Sequence, residues 1–558
     1  MTGKHDTTAR RGALLPMIAA PPVRTSLAAI ITAARAGSLG FAMAMFEAGG
    51  WSARDDDPAA LATHARLLKE AALRARGAAR NGALVAAADA FAAAAARNPQ
   101  PWLWIDEAVM RLLAGDSAGA EGLARGVLAG VAAGSDWAET PFFIAATRAQ
   151  AHLVRGEMAA AQAAFAQACA ADPDGWADRA AALRQMALVL AAKGADAAWL
   201  DAFRPPRSLN FAGHLGVSAA AGDSLGGAVG EWLAAERIGF GFGALAAGAD
   251  IVVAEALLER GAELHVVLPI GVEAFIAQSV TPYDPAWLPR FHACLDAAQS
   301  VRCLTALRGA YKPLATRLAA DVAMGAAVLN ARMLASGAAQ LLITDGGPGR
   351  FGAGLSTAYL GERWRDAGPQ HCIAAVRDAP VVASGARAMP EGRADRRLAA
   401  MLWIGFAGLD ELDEDGFSSA LDTVIAPFRA ACAALPVQPE LTLPVGNARL
   451  VAFADPDAAW AYASALLAMP PLGAPGVNVP LRVSGHYALA HWLEAPAALV
   501  GRGIAELGRI AAAALPGVLT ASETLAAALC VNQADRISPE LVGEVDDIRL
   551  FAISAADD

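Results

Sequence analysis

Ala339-Gln-Leu-Leu-Ile-Thr344 runs directly into Asp345-Gly-Gly-Pro-Gly349, and both follow an alanine-rich stretch, Leu314 to Ser336, that contains no proline. A short apolar run closed by a glycine-proline turn reads as a buried strand, and the long stretch before it as a helix. Helix, buried strand and glycine turn in succession make one step of a parallel sheet. A strand that is apolar along its whole length needs cover on both faces, which such a fold supplies with helices.

The alternation continues on both sides. Leu209 to Gly213, Ala262 to Pro269, Val301 to Leu307 and Cys372 to Val376 read as strands, and Ala249 to Arg260 as a helix. In an open sheet of this kind ligands bind beyond the carboxyl ends of the strands. Three glycine-rich loops are expected there. The first is Gly213-His214. The second is Gly239-Phe-Gly-Phe-Gly243-Ala-Leu-Ala-Ala-Gly248-Ala-Asp250. The third runs from Asp345 to Thr357 and holds Gly346, Gly347, Gly349, Arg350, Gly354, Ser356 and Thr357. Glycines let backbone N–H groups approach a phosphate, and a following helix N-terminus favours its charge. Arg350, Ser356 and Thr357 offer direct contacts. The spacing matches neither a Walker A loop nor GxGxxG, so tight strand-to-helix turns are an equally open reading. Asp250 and Glu255 share one helix, where they either orient a ligand or cap and solvate that helix.

Toward the N-terminus, residues 45–203 read as helix after helix. Asp57-Pro58 opens one of them, with Asp57 as N-cap. Leu113-Ala-Gly-Asp116 through Ala124 and Leu153-Val-Arg-Gly156-Glu157 through Phe165 look like two copies of one unit, offset by about 40 residues. Such a period predicts stacked helical hairpins, each burying its apolar face on the next. Trp102, Trp104 and Trp137 are either partner anchors or core. Residues 1–44 read as a flexible segment and first helix; Pro16, Pro21 and Pro22 break the apolar stretch after Arg10-Arg11, against a signal peptide. Arg204-Pro-Pro-Arg207 marks the boundary of the middle domain, 204–384.

Residues 385–395 read as a linker. From 396 to 558 the order changes to strand, helix, hairpin (Glu440 to Ala454), helix, strand, helix, strand and a last strand (Asp547 to Ser554), the pattern of an α+β sandwich. The whole is therefore multidomain: an all-α helical-repeat part, an α/β Rossmann-like domain and an α+β ferredoxin-like domain.

The chain has 558 residues, a formal net charge of −11 and 18% charged residues, with a mean hydropathy of +0.38. The negative balance argues against nucleic acid. No uncharged apolar run of spanning length stands out, so no membrane is expected. The six cysteines form no CxxC pair, which argues against zinc and disulfides and for the cytoplasm. No cofactor is expected.

Three resemblances add to this reading. Phe211-Ala-Gly213-His214, Gly243 through Glu255 and Leu264-His-Val-Val-Leu-Pro269 resemble the SLOG superfamily, Rossmann-like domains related to DprA and LOG proteins. The resemblance implies a nucleotide-derived ligand over Gly213, Gly248 and the 346–354 loop. The acidic residue of that superfamily's processing branch has no counterpart in Gly354-Leu-Ser-Thr357-Ala-Tyr359-Leu360. Met401-Leu402-Trp403, Val445-Gly446-Asn447-Ala-Arg-Leu450 and Gly508-Arg509-Ile510 with Gly517 to Ser522 resemble the class III adenylate/guanylate cyclase domain. That resemblance puts the two metal-binding aspartates on Gly405 and Asn447, the base-reading lysine on Leu443, and the Asn-Arg pair on Ala505 and Arg509. Only Arg509 is kept, which implies a pseudo-cyclase that still dimerises. Arg66-Leu-Leu-Lys69-Glu70, Asp136-Trp137, Ala145-Ala146-Thr147 and Arg184-Gln185 resemble TRAFs-binding, TPR-like regions, implying a protein partner. The leading expectation is a non-catalytic sensor or regulator. The rival is a nucleotide enzyme, either a divergent cyclase or a SLOG-type hydrolase. Asp410, Asp413, Glu414 and Asp415 read as helix-capping acids rather than substitute metal ligands.

Overall fold

The computed structural model describes residues 26–134, 137, 139–305, 313–344, 357–364, 367–376, 378, 396–409, 412–470, 479–495, 497–533 and 536–556. Among the described residues the N-terminal part is nine α-helices: α1 (Leu27–Arg35), α2 (Leu39–Ala48), α3 (Pro58–Arg74), α4 (Ala78–Arg97), α5 (Pro101–Leu113), α6 (Ser117–Ala132), α7 (Pro141–Val154), α8 (Met158–Ala171) and α9 (Trp176–Lys193). Asp57 caps α3 through Ala59 and Ala60 N–H. The two sequence copies fold alike. Gly115 (φ 91°) and Gly156 (φ 79°) each end a helix in the left-handed region. Asp116 N–H donates to Arg111 C=O and Glu157 N–H to His152 C=O, while the two glycines donate to Leu112 and Leu153. This pairing of bonds is a Schellman motif, which glycine alone enters without a Cβ penalty. Trp104 and Trp137 meet edge to face at 5.9 Å, Trp102 packs on Phe91, and Trp102 and Trp104 border the helical core.

Helices α1 and α2 are ordered against other parts of the chain. Arg35 pairs with Glu540 at 2.7 Å, Arg74 donates to Arg35 C=O, and the Ser38 hydroxyl donates to Pro516 C=O.

Among the described residues the middle sheet has six parallel strands: β1 (Arg207–Gly213), β2 (Ile238–Gly243), β3 (Glu263–Leu268), β4 (Ser300–Cys303), β5 (Ala338–Thr344) and β6 (Gln370–Ala374), in the order β4-β3-β2-β1-β5-β6. Alternate residues of each strand face opposite layers. Leu209, Phe211, Leu264 and Leu341 pack against α10 (Ala219–Ala235), α11 (Ala249–Glu259), α12 (Val272–Ser279) and α13 (Trp287–Ala297). Phe240, Phe242 and Leu342 pack against α14 (Pro313–Met333) and α15 (Thr357–Trp364). On that second face Asn210, Gln340 and Gln370 join edge to edge: Gln340 Nε2 donates to Asn210 Oδ1 at 2.9 Å, and Gln370 Nε2 to Gln340 Oε1 at 2.6 Å.

One expectation is corrected here. Gly239 to Gly243, read as a ligand loop, is strand β2, the neighbour of β1. Its glycines answer to packing rather than to phosphate: a Cβ at Gly239 would run into Pro206, at Gly241 into Leu257, and at Gly243 into the ring and carbonyl of Phe211. Glycine inside a strand marks such close approach.

The C-terminal sheet holds β7 (Arg396–Phe406), β8 (Leu441–Val445), β9 (Ala448–Phe453), β10 (Leu481–Glu494), β11 (Ala497–Val500), β12 (Leu519–Ser522), β13 (Ile537–Val545) and β14 (Ile548–Ala555). The order is β13-β14-β12-β10-β7-β9-β8, with β11 beside β10; β10 and β12 run parallel and the other pairs antiparallel. Helices α16 (Glu414–Ala420), α17 (Ala426–Ala434), α18 (Pro456–Leu467) and α20 (Glu523–Asn532) lie on one face, and α19 (Arg502–Ala513) on the other.

The two sheets share one hydrophobic core. Helices α14 and α20 pack closely together, and a Cβ at Gly325 would fall inside the backbone of Ala527. Buried Asp321 of α14 accepts from Tyr359 at 3.0 Å and from Tyr487 of β10 at 3.5 Å. Glu523 pairs with Arg302 of β4 and Arg549 of β14. Among the described residues α14, from Leu314, is long and apolar enough to cross a membrane, and 72% of that stretch is buried within the fold.

Candidate functional site

The order of the middle sheet reverses between β1 and β5, so the crevice beyond those strand ends is where an α/β fold presents a ligand. Gly213, His214, Gly248 and Asp250 meet there. Asp250 is buried, and its carboxylate accepts from Gly213 N–H at 2.8 Å and Ala246 N–H at 3.2 Å, tying the end of β1 to the start of α11. Burial pushes its pKa up to about 7, against the pull of those two bonds. His214 is also buried; Nδ1 accepts from Gly216 N–H, which leaves Nε2 to donate to Ala375 C=O at 2.9 Å. Gly248 has φ 93°, and a Cβ there would press on His214 C=O.

Among the described residues, the starts of α10 and α11 at this crevice are already served. Asp378 takes Ser218 N–H at 2.8 Å and the Ser218 hydroxyl at 2.7 Å, at the first turn of α10. These bonds hold the Asp378 carboxyl below its usual range. Asp284 accepts from Ala219 N–H. Ala249 N–H at the start of α11 donates to His214 C=O. Glu255 points away, with Oε1 accepting from Arg290 Nε at 2.7 Å and Oε2 from Nη2 at 2.5 Å, and Arg290 lies over Trp287. Gly346, Gly347, Gly349, Arg350, Gly354 and Ser356 fall outside the described residues, and Thr357 is described only as the first residue of α15. Asp378 and Asp284 were invisible to sequence reasoning, because no local pattern ties either to the start of α10.

In the C-terminal part the cyclase-type positions fall in two places: Gly405, Leu443 and Asn447 on β7 and the β8–β9 hairpin, and Ala505 and Arg509 on α19. Gly405 is on β7 opposite Arg482 of β10, and a Cβ there would touch Ala448 at 3.5 Å, an ordinary contact. Its strand neighbours Ile404 and Phe406 turn to the opposite face, into the shared core. Gly405 thus looks toward the face where Trp403, Leu443 and Val445 border a cluster built on Met401, Leu450 and Leu507. Asn447 follows Gly446 (φ 56°) in the two-residue turn between β8 and β9. Ala505 and Arg509 are exposed on α19, and Arg509 reaches Asp546 at 3.1 Å. Asp413 caps α16 through Gly416 N–H, with Glu414 and Asp415 in the first turn; Asp410 lies outside the described residues. Among the described residues no group of three His, Cys, Asp or Glu is placed to hold a metal ion.

His486 and the opposite face were the less legible features. His486 Nδ1 lies 2.8 Å from Ser522 Oγ and its Nε2 3.1 Å from Glu506 Oε2, the order of a serine-histidine-acid relay. Ser522 is fully buried and caps α20 through Leu525 N–H, so this relay is a structural bond chain with no room for substrate. On the face carrying α16 and α17 a cleft of about 470 Å³ opens between those helices, β7 and the β8–β9 hairpin. Pro427 was the available signal for it: a proline inside a helix cannot bond to, and clashes with, the carbonyl four residues earlier. The chain answers with a π-helical turn over Leu421–Ile425, in which Ala426 N–H donates to Leu421 C=O.

No protein-family model matches the chain, and no curated protein matches it. Solved structures that it resembles include the guanylate cyclase domain of RhGC from Catenaria anguillulae in complex with GTP, at 13% identity and a TM-score of 0.24, covering 29% of this chain and 100% of that one. The adenylyl cyclase CyaB from P. aeruginosa is similar at 12% identity and a TM-score of 0.23, covering 29% of this chain and 96% of that one. An adenylate/guanylate cyclase/hydrolase from Silicibacter pomeroyi is similar at 17% identity and a TM-score of 0.21, covering 30% of this chain and 99% of that one.

Proposed function

We propose that this chain is a non-catalytic regulatory protein that carries a cyclase-like domain without cyclase chemistry. One observation carries the reading: Gly405 and Asn447, the positions at which the resemblance puts metal-binding aspartates, offer no carboxylate, and the face Gly405 looks toward is apolar. A two-metal mechanism needs carboxylates to hold ions that neutralise the transferring phosphates. Their loss removes several kcal/mol of transition-state stabilisation, each ~1.4 kcal/mol being tenfold in rate. On this reading the apolar patch of Trp403, Leu443 and Val445 pairs two copies of the chain. The middle domain takes a nucleotide-derived anion in the β1/β5 crevice, and the helical hairpins bind a protein partner. Because Asp378 sits on α10, an anion entering there must displace it.

Two measurements test the proposal. Purified protein incubated with ATP or GTP and Mg²⁺ or Mn²⁺ yields no cyclic nucleotide; turnover near the ~1 s⁻¹ floor of ordinary enzymes would overturn it. A nucleotide screened at about 100 times its Kd stabilises the fold by about 2.7 kcal/mol without metal, and more tightly in Asp378→Ala; stabilisation that requires metal would favour the enzyme.

A further inference from the structure

We propose that the cleft beneath the π turn is a binding site for a small organic monoanion with an apolar body, seated without metal. The site lies on the sheet face opposite the one Gly405 looks toward; it shares Asn447 with the reading above, and competition with Mg-ATP separates the failure of one from the failure of the other.

Pro427 lies in the first turn of α17. The π turn it imposes widens the helix between α16 and α17. Leu421, the first residue of the turn, is 47% exposed, an unusual state for a leucine at the wall of a cavity. The cleft's volume, about 470 Å³, falls within the range of about 300–1,000 Å³ common to small-molecule sites. Its walls are Ile404, Phe406, Phe417, Ile425 and Phe428 as well as Leu421. Those walls favour an aliphatic or aromatic body, because displacing water from them is favourable in proportion to apolar area.

The charges at the rim set the other end of the ligand. Arg429 and Arg449 both line the cleft, and among the described residues no carboxylate does. Arg449 lies 5.7 Å from the centre of the Phe428 ring. A guanidinium stacked on an aromatic face is weakly hydrated and offers a planar fork that matches a carboxylate or sulfonate. Two such cations without an acid between them leave a local positive charge that an anion neutralises and a metal ion would increase. Among the described residues Thr442 and Asn447 are the only neutral polar side chains in the lining. A nucleotide, with a polar base, a ribose and several phosphate charges, would leave most of its donors and acceptors unpaired there.

The test titrates the full-length protein with 1-anilinonaphthalene-8-sulfonate and competes it with decanoate, decanol and Mg-ATP. The expected result is one saturable site per chain from which decanoate displaces the probe, with decanol at least about tenfold weaker, since a charge-assisted bond is lost. Arg429→Glu and Leu421→Glu change exposed residues, and each is expected to weaken the probe at least about tenfold while thermal melting stays unchanged. The proposal is overturned by non-saturable binding, by equal affinity for decanol and decanoate, by unchanged binding in both variants, or by displacement with Mg-ATP as effective as with decanoate.

Discussion

The crevice between β1 and β5 and the cleft beneath the π turn are opposites. The crevice has the residues that suggest a ligand, glycines, a histidine and an aspartate, and the fold spends nearly all of them on itself. Asp250 ties two backbone N–H groups, His214 closes a loop, and Asp378 and Asp284 occupy the start of α10. The cleft has residues that suggest only core, and it stands open with two guanidiniums at its rim. Polar residues at the mouth of a sheet indicate function only after their hydrogen bonds are counted, because a buried polar group must be satisfied by something, and the nearest something is usually the chain itself.

Substitutions break this contrast in order of size. Gly213→Val is expected to cost the most, about 3 kcal/mol, since any Cβ there meets Ala249 inside contact distance; urea denaturation reads it. Gly248→Ala should follow at about 2 kcal/mol, because a side chain is strained at φ 93°. If either melts like the native chain, the crevice is looser than its bonds indicate. Asp378→Ala removes an exposed carboxylate that accepts from Ser218, and should shift the urea midpoint less than either glycine substitution. In the cleft, Arg429→Gln should move stability by less than about 0.5 kcal/mol, a difference visible only in ligand binding.

Asp250 sharpens the same contrast through pH. Its folded pKa, about 7, lies above the ordinary 3.8. The folded chain therefore holds a proton that the unfolded chain releases, and the stability this contributes is complete below about pH 4 and lost as pH rises through 7. Asp250→Asn should flatten that part of the profile, measured as the difference in urea midpoint between pH 4.5 and 7.5 for the two proteins. Equal slopes would mean that Asp250 stays ionised throughout.

The sequence was most readable where local pattern and tertiary structure agree. The strands at 209–213, 262–269 and 339–344, the hairpin at 440–454 and the paired helical turns at Gly115 and Gly156 all follow from periodicity and turn residues. It was least readable where glycine serves packing. Gly239 to Gly243 carries the punctuation of a loop yet forms a central strand, because Pro206, Leu257 and Phe211 leave no space for side chains. Helix α10 was missed because Gly222, Gly226, Gly227 and Gly230 lower its helix propensity, although only Gly222, against Trp287, serves close packing; α20 and β13, which lie between the better signals, were missed too. Gly405 was found as a position, but the face it looks toward depends on strand register, and register is set by partners distant in sequence.

Helix α14 also constrains how this protein is made. Gly325 meets its partner Ala527 about 200 residues later in the chain. At common rates of synthesis that is roughly 10–40 s, during which one flank of α14 leaves the ribosome with nothing to cover it. A nascent chain stalled in that interval displays a long alanine-rich apolar surface, which makes it a natural client for chaperones that hold exposed helices until translation delivers α20.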